Sequence, residues 1–388
     1  MAQARTEARG CAPRLRWCLF ALILVTGVLQ NSVAPLLPAY GQHFGLSTTE
    51  IGLLIGASGL SMLAVTLPAG SLADRFGARR LTLVAGWVLV VSALGQAAAP
   101  SFSSLLIARL LFGAGYGVLW TAGLAWLSSA SEQRGRTGIS STVVFAGLGA
   151  VIGPVFAGML AQPFGLAAPF LISGVLVALA TLALTAIRTP EVSHSGSHLR
   201  VASAMRMVAG DMRVVTSIAA VVIAGILYSV TTLFDPLELH RDGWSSGAIG
   251  AMFSVGAILY VVGALSASAI GKRLVTIVGA VTLGLLGAAT LLPGGLSIAP
   301  VAVVGVLLAS SAVRSALWSV AYPLGESGAE VSGAGIGVVL GILNGVSAAT
   351  SMVAPLAAGT MADSFGLKGA FDLSVVACIG ILGCWWLY

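Results

Sequence analysis

The chain has 388 residues, of which 57% are hydrophobic and only 8% are charged, and its formal net charge is +6. An ordinary soluble domain carries about 25% charged residues, so the composition excludes a soluble globule and predicts an integral membrane protein that lies in a lipid bilayer. The bases fall mostly in short loops between apolar runs, and this distribution excludes a basic face for nucleic acid.

Twelve apolar windows are long enough to cross a bilayer, which takes about 20 residues each. Runs this long predict helices, because only helices and closed barrels satisfy the backbone in lipid, and strand-type alternation is absent. The first window is expected to be a retained helix rather than a cleaved signal peptide. The predicted spans cover residues 15–38, 51–73, 81–99, 104–127, 139–160, 167–186, 214–236, 248–270, 276–296, 299–321, 338–361 and 370–388.

The distribution of basic residues predicts the orientation of these spans. Of the 19 Lys and Arg residues, 15 lie before or at the very start of the first span or in the loops after spans 2, 4, 6 and 8. By the positive-inside rule, these loops and both termini are cytoplasmic. The expected location is the cytoplasmic (plasma) membrane.

The two halves of the chain repeat one another. Trp120 recurs as Trp318 at an offset of 198 residues, and Pro154 recurs as Pro355 at an offset of 201. Other matches at these offsets are Gly52 with Gly250 and Gly158 with Gly359. The predicted organisation is an N-terminal six-helix bundle over 1–186, a cytoplasmic linker over 187–213 and a C-terminal six-helix bundle over 214–388.

The stretch from Gly70 to Arg80 concentrates charge between spans 2 and 3. Each charge at a helix centre would cost roughly 2.5–3.5 kcal/mol, so we expect a short cytoplasmic turn, with Gly70 and Gly77 letting the chain reverse. The pattern resembles the loop signature of the major facilitator superfamily. The matching residues are Gly70, Leu72, Ala73, Asp74, Arg75, Gly77, Arg79 and Arg80.

The resemblance implies a major facilitator fold with twelve transmembrane helices in two six-helix pseudo-repeats, and a binding site between the halves near the middle of the membrane. It also implies that the charged loop is a latch between helix ends that takes part in gating. The alternative is a purely topological role, in which the bases only hold the loop inside.

Two more spans carry patterns that resemble signatures of the same family. Arg109 and Gly113 in span 4 resemble a motif linked to proton transfer, although Arg109 could instead reach the outer interface. Glycines and a proline in span 5 resemble the signature of the drug/proton antiporters, for which general packing of small residues is the alternative. The span 5 residues are Gly149, Gly153, Pro154 and Gly158.

Polar and aromatic residues inside the spans are the candidate lining of a substrate cavity. They are Gln30, Asn31, Tyr116, Trp120, Tyr228, Asp235, Tyr260, Arg314, Trp318 and Asn344. Aromatic walls with a few polar groups suit amphipathic organic molecules. Arg314 has no acid in its own span, so an organic anion is an open alternative. Asp235, expected near the outer end of span 7, is the best carboxylate for proton coupling.

The sequence therefore predicts a secondary transporter that exports small amphipathic organic molecules by proton antiport through alternating access, and acts as a monomer. The alternative is uptake or exchange of an organic anion or metabolite, and a membrane sensor is a weaker one. An enzyme is not expected, because the four histidines are placed in loops and no catalytic motif occurs. His194 and His198 lack Cys or carboxylate partners, and neither a metal nor a cofactor is predicted.

Overall fold

The computed structural model describes residues 2–129, 135–187, 211–296, 299–332 and 336–386. Every regular element in these ranges is helical, which confirms the predicted all-α membrane fold. The predicted linker, with His194 and His198, lies almost wholly outside the described residues.

The described ranges contain thirteen α-helices. They are α1 (Ala2–Asn31), α2 (Leu37–Phe44), α3 (Thr48–Phe76), α4 (Ala78–Ala97), α5 (Phe102–Val118), α6 (Leu124–Ser129), α7 (Gly135–Phe164), α8 (Ala168–Thr185), α9 (Met212–Arg241), α10 (Ser246–Ile270), α11 (Ile277–Leu296), α12 (Pro300–Ser332) and α13 (Ile336–Trp386). Short 3₁₀ turns cover Ala34–Leu36 and Gly271–Arg273, and a π-helical turn covers Leu119–Gly123.

The number of membrane-crossing helices depends on how the last element is counted. Within the described ranges, eleven helices are long and apolar enough to cross a membrane, and the last of these covers Val338–Gly383. That segment contains both predicted spans 11 and 12. Gly366, with φ 73° and ψ 171°, breaks it into two helices, so the two predicted spans are joined by a single non-helical residue.

The first span is longer than predicted and is built from two helices. Helix α1 ends at Asn31, and the buried 3₁₀ turn Ala34–Leu36 leads into α2. Pro35 has no N–H for a helical hydrogen bond, which accounts for the interruption. The candidate span Pro13–Phe44 therefore runs six residues past its predicted end at residue 38.

The described residues form two compact units. The first unit takes in the described residues of Met1–Leu36, Ala57–Gly196 and Ser246–Ser254. The second takes in those of Leu37–Gly56, Ser197–Ser245 and Val255–Tyr388. The division into bundles over 1–186 and 214–388 stays a prediction.

Three helix pairs of the first unit have counterparts in the second. In the first unit, α1 packs on α7, and α4 packs on α5 and α8. In the second, α9 packs on α13, and α11 packs on α12 and α13. These pairs join corresponding spans of the two sequence halves, as a repeat predicts.

Candidate functional site

The charged motif from Gly70 to Arg80 is mostly helical rather than a loop. Helix α3 continues to Phe76, and Gly77 alone, with φ 90°, separates it from α4. A Cβ added at Gly70 would have no neighbour within 4 Å. The expectation that both glycines reverse the chain was therefore wrong for Gly70, because the helix passes through it unchanged.

The arginines of the motif have different contacts. Arg79 donates from Nε to the Ile187 carbonyl and from Nη2 to the Thr185 carbonyl, both over 2.8 Å. These carbonyls lie at the end of α8, where helical acceptors lack partners. Asp74 is exposed, and among the described residues it forms no ion pair with Arg79. Arg75 lies over the Phe76 ring at 5.2 Å. The role of this charged motif as a gating latch stays a prediction.

Arg109 and Gly113 of α5 both lie against Ser58 of α3. Arg109 is 2% exposed, donates from Nη2 to the Ser58 hydroxyl over 3.1 Å, and lies 5.1 Å from the Phe112 ring centre. A Cβ on Gly113 would overlap the Ser58 carbonyl oxygen and the Ser61 hydroxyl. The four-residue spacing puts both residues on one face of α5, so the arginine is held inside the protein.

The span 5 motif packs α7 against α1 in the first unit. A Cβ on Gly149 would lie 2.9 Å from the Cα of Gly27, and one on Gly153 would lie 2.7 Å from the Val28 carbonyl oxygen. Both distances are too short for a side chain. The glycines thus let the two backbones touch, as small residues do between membrane helices.

The opposite face of the motif contacts the start of α10. A Cβ on Gly250 would overlap the Pro154 carbonyl oxygen, and one on Gly158 would overlap that of Ser246. The second unit contains the counterparts of both contacts at the repeat offsets of 198 and 201. They are Gly52 against the Pro355 carbonyl oxygen and Gly359 against the Thr48 carbonyl oxygen.

In the first unit, the candidate cavity residues include an aromatic row. The Tyr116 ring lies 5.4 Å from that of Phe112 and 6.1 Å from that of Trp120. Trp120 lies in the π-helical turn Leu119–Gly123, a local distortion that is frequent at functional sites. Its Nε1 and the Oε1 of Gln30 are buried without a hydrogen-bond partner among the described residues. Asn31 donates to the Gly27 carbonyl over 2.8 Å.

In the second unit, Arg314 is held between aromatic rings. Its guanidinium carbon lies 4.9 Å from the Tyr228 ring centre and 5.1 Å from the Tyr260 ring centre. Both distances are within the range of cation–π attraction. No carboxylate pairs with Arg314 among the described residues. The structure thus brings together three of the predicted cavity residues.

A second group extends this set along α12. The Trp318 ring stacks on Tyr322 with centres 5.4 Å apart, and the Tyr322 hydroxyl donates to Asn344 Oδ1 over 2.6 Å. Tyr322 is not among the predicted cavity residues. Its position four residues after Trp318 and eight after Arg314 places it on the same helix face, and this spacing could have identified it.

Asp235 is the most unusual polar residue of the second unit. It is 0% exposed, and neither carboxylate oxygen has a hydrogen-bond partner among the described residues. By contrast, Glu238 pairs with Arg241 over 3.1 Å. Helix α9 continues to Arg241, five residues beyond the predicted end of span 7. Asp235 therefore lies inside the helix rather than at its outer end.

The histidines that the structure describes end helices rather than lying in loops. His43 is in the last turn of α2 and His240 in that of α9. Across the described ranges, no group of three or more His, Cys, Asp or Glu residues could hold a metal ion.

Known proteins are similar to this chain in sequence. A family model described as Major Facilitator Superfamily matches residues 19–350. The multi-drug resistance efflux pump PmrA homolog of Lactococcus lactis subsp. lactis (strain IL1403) is 36% identical over 154 residues, which are 39% of this chain and 38% of that protein. The quinolone resistance protein NorA of Staphylococcus aureus (strain MRSA252) is 26% identical over 253 residues, 61% of this chain and 63% of NorA. The matches thus span less than two thirds of either relative.

Solved structures share the fold. A bacterial homolog of the human lysosomal transporter Spinster, described as inward-facing and unoccupied, matches with a TM-score of 0.79 and 14% identity over 97% of this chain and 96% of that one. The nucleoside transporter NupG matches with a TM-score of 0.76 and 11% identity over 97% and 98%. At such low identity the likeness concerns the fold alone.

Proposed function

The chain belongs to the Major Facilitator Superfamily, and we propose that it is a secondary transporter that exports small, amphipathic organic molecules in exchange for protons. The names of its relatives, an efflux pump and a quinolone resistance protein, support export of organic compounds. The observation that carries the proposal is the buried, unpartnered carboxylate of Asp235.

A charge at Asp235 would be costly in this environment. An unpaired buried carboxylate loses its hydration without compensation, so Asp235 needs a proton or a cation while it stays buried. Glu238 differs, because Arg241 neutralises it. Asp235 is thus suited to take up a proton in one conformation and to release it in another that admits water.

Asp235 also lies on the same helix face as a candidate substrate residue. It follows Tyr228 by seven residues, and positions i and i+7 share a face of an α-helix, separated by about 10.5 Å along the axis. Tyr228 contacts Arg314. A conformational change that rearranges the aromatic cluster would therefore also alter the surroundings of Asp235, which is the requirement for coupling.

The aromatic side chains support amphipathic substrates. The neighbouring rings of Tyr116 and Trp120 and the stacked pair Trp318–Tyr322 are partly exposed, and each has a flat apolar face with a polar edge. Such surfaces bind planar organic groups by stacking and orient them with few hydrogen bonds.

Transport by purified protein in liposomes tests the exchange. An imposed pH gradient should drive a fluorescent lipophilic dye against its concentration gradient, and collapse of the gradient should abolish this movement. Asp235→Asn should lose at least 90% of the gradient-driven flux while retaining dye binding. Glu238→Gln is the matched control, an acid one turn away on the same helix, and should keep most of the flux. Gradient-driven flux at the parent rate in Asp235→Asn would refute the role of Asp235.

The second candidate function is carriage of an organic anion, and Arg314 is the observation that favours it. A guanidinium on two tyrosine rings, without a carboxylate among the described residues, is a suitable partner for a substrate carboxylate. Arg314→Gln should then weaken binding of an aromatic carboxylate at least tenfold and leave a neutral dye unaffected. Exchange driven by an anion gradient, and insensitive to the pH gradient, would favour this function over antiport.

We further propose that the protein works as a monomer in the cytoplasmic membrane, with both termini inside. The support for this orientation is the excess of basic residues in the loops assigned to the cytoplasmic side. A tag at either terminus should be digested by protease only in inside-out vesicles, and digestion in right-side-out vesicles would reverse the assignment.

A further inference from the structure

The N-terminus of α3 is capped by a carboxylate from another helix, Asp363 of α13. Asp363 Oδ1 accepts the N–H of Thr48 over 3.1 Å, and Oδ2 accepts the N–H of Thr49 over 2.8 Å. The Thr49 hydroxyl also donates to Oδ2 over 2.6 Å. These three residues are called the N-cap clasp below.

Local capping of α3 leaves the two threonine amides for Asp363. The first four N–H groups of a helix have no acceptor within it. Ser47 and Glu50 form a reciprocal capping box, in which Ser47 Oγ accepts from the Glu50 N–H over 3.2 Å and Glu50 Oε2 accepts from the Ser47 N–H over 2.8 Å. The amides of Thr48 and Thr49 remain, and a negative charge there also interacts favourably with the helix dipole.

A glycine lets the two helices approach closely at the clasp. Gly359 precedes Asp363 by four residues and so lies on the same face of α13. A Cβ on Gly359 would come within 2.5 Å of the Thr48 carbonyl oxygen. The backbone contact and the carboxylate contact thus depend on the same approach of the two helices.

The repeat supplies an uncharged counterpart of the clasp in the first unit. Gly158 and Gln162 stand 201 residues before Gly359 and Asp363. Gly158 meets the Ser246 carbonyl oxygen at the start of α10, and the Gln162 Oε1 lies 3.2 Å from the Cβ position of Gly247. The two contacts correspond residue by residue, but only the second unit has a charge there.

We propose that the N-cap clasp is a reversible contact between α3 and α13. It favours the conformation in which these helix ends are joined, and it breaks during each transport cycle. This inference rests on the alternating access of the proposed function. The exposed position of Asp363 suits release, because water replaces the lost hydrogen bonds when the helices separate. An exposed charge at a helix N-terminus has a modest, salt-dependent effect, so the clasp adjusts the conformational balance without locking it.

A cysteine reporter measures how often the helix ends separate. Leu356→Cys, in a background with the four native cysteines changed to Ser, places a thiol on α13 beside α3, since the Leu356 Cα lies 3.3 Å from the Cβ position of Gly52. In liposomes, Asp363→Ala should raise the rate of modification by a membrane-impermeant maleimide about two- to fivefold. Gln162→Ala, the repeat counterpart, should leave the rate unchanged.

Salt gives an independent readout of the same contact. Raising the salt to about 0.5 M should bring the parent rate toward that of Asp363→Ala, because the charge is screened. Asp363→Asn, which keeps an acceptor oxygen but not the charge, should give an intermediate rate, and it also serves if Asp363→Ala fails to insert. Equal rates in the parent, Asp363→Ala and Asp363→Asn would overturn the proposal.

Cross-linking tests whether the clasp must open. Thr49→Cys combined with Asp363→Cys should form a disulfide under oxidation that stops efflux, and a reductant should restore it. Either single cysteine variant should be insensitive to the oxidant. Unchanged efflux from fully cross-linked protein would refute opening. If the parent shows no proton-driven efflux but the maleimide rates respond as expected, the proposed antiport fails while the clasp stands.

Discussion

Single residues of the charged motif between α3 and α4 have separable roles. Gly77 turns the chain in a left-handed conformation, while Gly70 lies in continuous helix with open space around it. Arg79 caps the end of α8, while Arg75 lies over a neighbouring ring. Motif residues that look alike in the sequence should therefore respond differently to substitution.

The two motif glycines should give opposite results when changed to alanine. Gly77→Ala forces a side chain into a left-handed backbone and should cost roughly 1–2 kcal/mol. Gly70→Ala should be neutral or stabilising by up to about 1 kcal/mol, because alanine favours a helix. Thermal unfolding of the two variants in detergent measures the difference. A lower midpoint for Gly70→Ala than for Gly77→Ala would contradict this assignment.

Arg79 should contribute more to stability than Arg75. Arg79→Ala leaves the carbonyls of Thr185 and Ile187 without this donor, and a hydrogen bond from a charged group contributes about 1.5–3 kcal/mol. Arg75→Ala removes only an exposed cation–π contact, which contributes about 0.5–1 kcal/mol. The same thermal measurement, with membrane abundance as a check on insertion, should rank the variants. Equal midpoints would show that the capping bonds of Arg79 have no net effect.

At the scale of elements, paired backbone contacts hold specific helices together. Gly250 of α10 meets Pro154 of α7, and Gly52 of α3 meets Pro355 of α13. Both contacts use a proline, whose missing N–H interrupts the regular hydrogen bonding of its helix. Close packing at these points depends on the absence of a side chain on the partner.

Adding one methyl group at these contacts should weaken both packing and transport. Gly250→Ala and Gly52→Ala should each destabilise the protein by about 1–3 kcal/mol, the usual cost of overpacking. Gly341→Ala on α13 is the control, because a Cβ there has no neighbour within 4 Å. Unfolding midpoints and liposome flux at parental values in both glycine variants would show that these contacts tolerate a side chain.

Pro154→Ala should alter the transport rate by removing the helix interruption.

At the scale of the whole molecule, the two sequence halves share backbone contacts at corresponding positions but carry different side chains at several of them. Tyr116 corresponds to Arg314, and Gln30 corresponds to Tyr228, both at the 198 offset. The position one helical turn before the tryptophan is thus neutral in the first half (Tyr116) and cationic in the second (Arg314). Gln42 and His240, also 198 apart, contact each other through their Nε2 atoms at 3.0 Å.

Gating is a property of the whole molecule, and Asp74 is the residue to test for it. Asp74→Asn should reduce transport several-fold without lowering membrane abundance, because the variant keeps the bases that set topology and loses only the acid of the predicted latch. Flux and abundance should be measured together, with Asp372→Asn as an acid control elsewhere. Undiminished flux in Asp74→Asn would leave the motif with a topological role only.

The sequence by itself determined the helical membrane fold and the internal repeat, because the cost of exposing polar backbone to lipid leaves few alternatives. It also singled out Arg109 and Arg314, since charges inside spans are rare, and it singled out Asp235 as the best-placed carboxylate near a span end. Span ends were less predictable: α9 and α2 continue past their expected ends, because packing extends helices beyond the apolar window.

Only the tertiary structure decided which of these residues meet. Gly113 and Arg109 converge on Ser58, Arg314 lies on Tyr228 and Tyr260, and Asp363 caps a helix more than 300 residues earlier in the chain. Composition and spacing give the face of a helix, but partners on distant helices depend on how the backbones approach. That approach is set by packing of small residues and by unsatisfied helix ends, which act only once the helices are assembled.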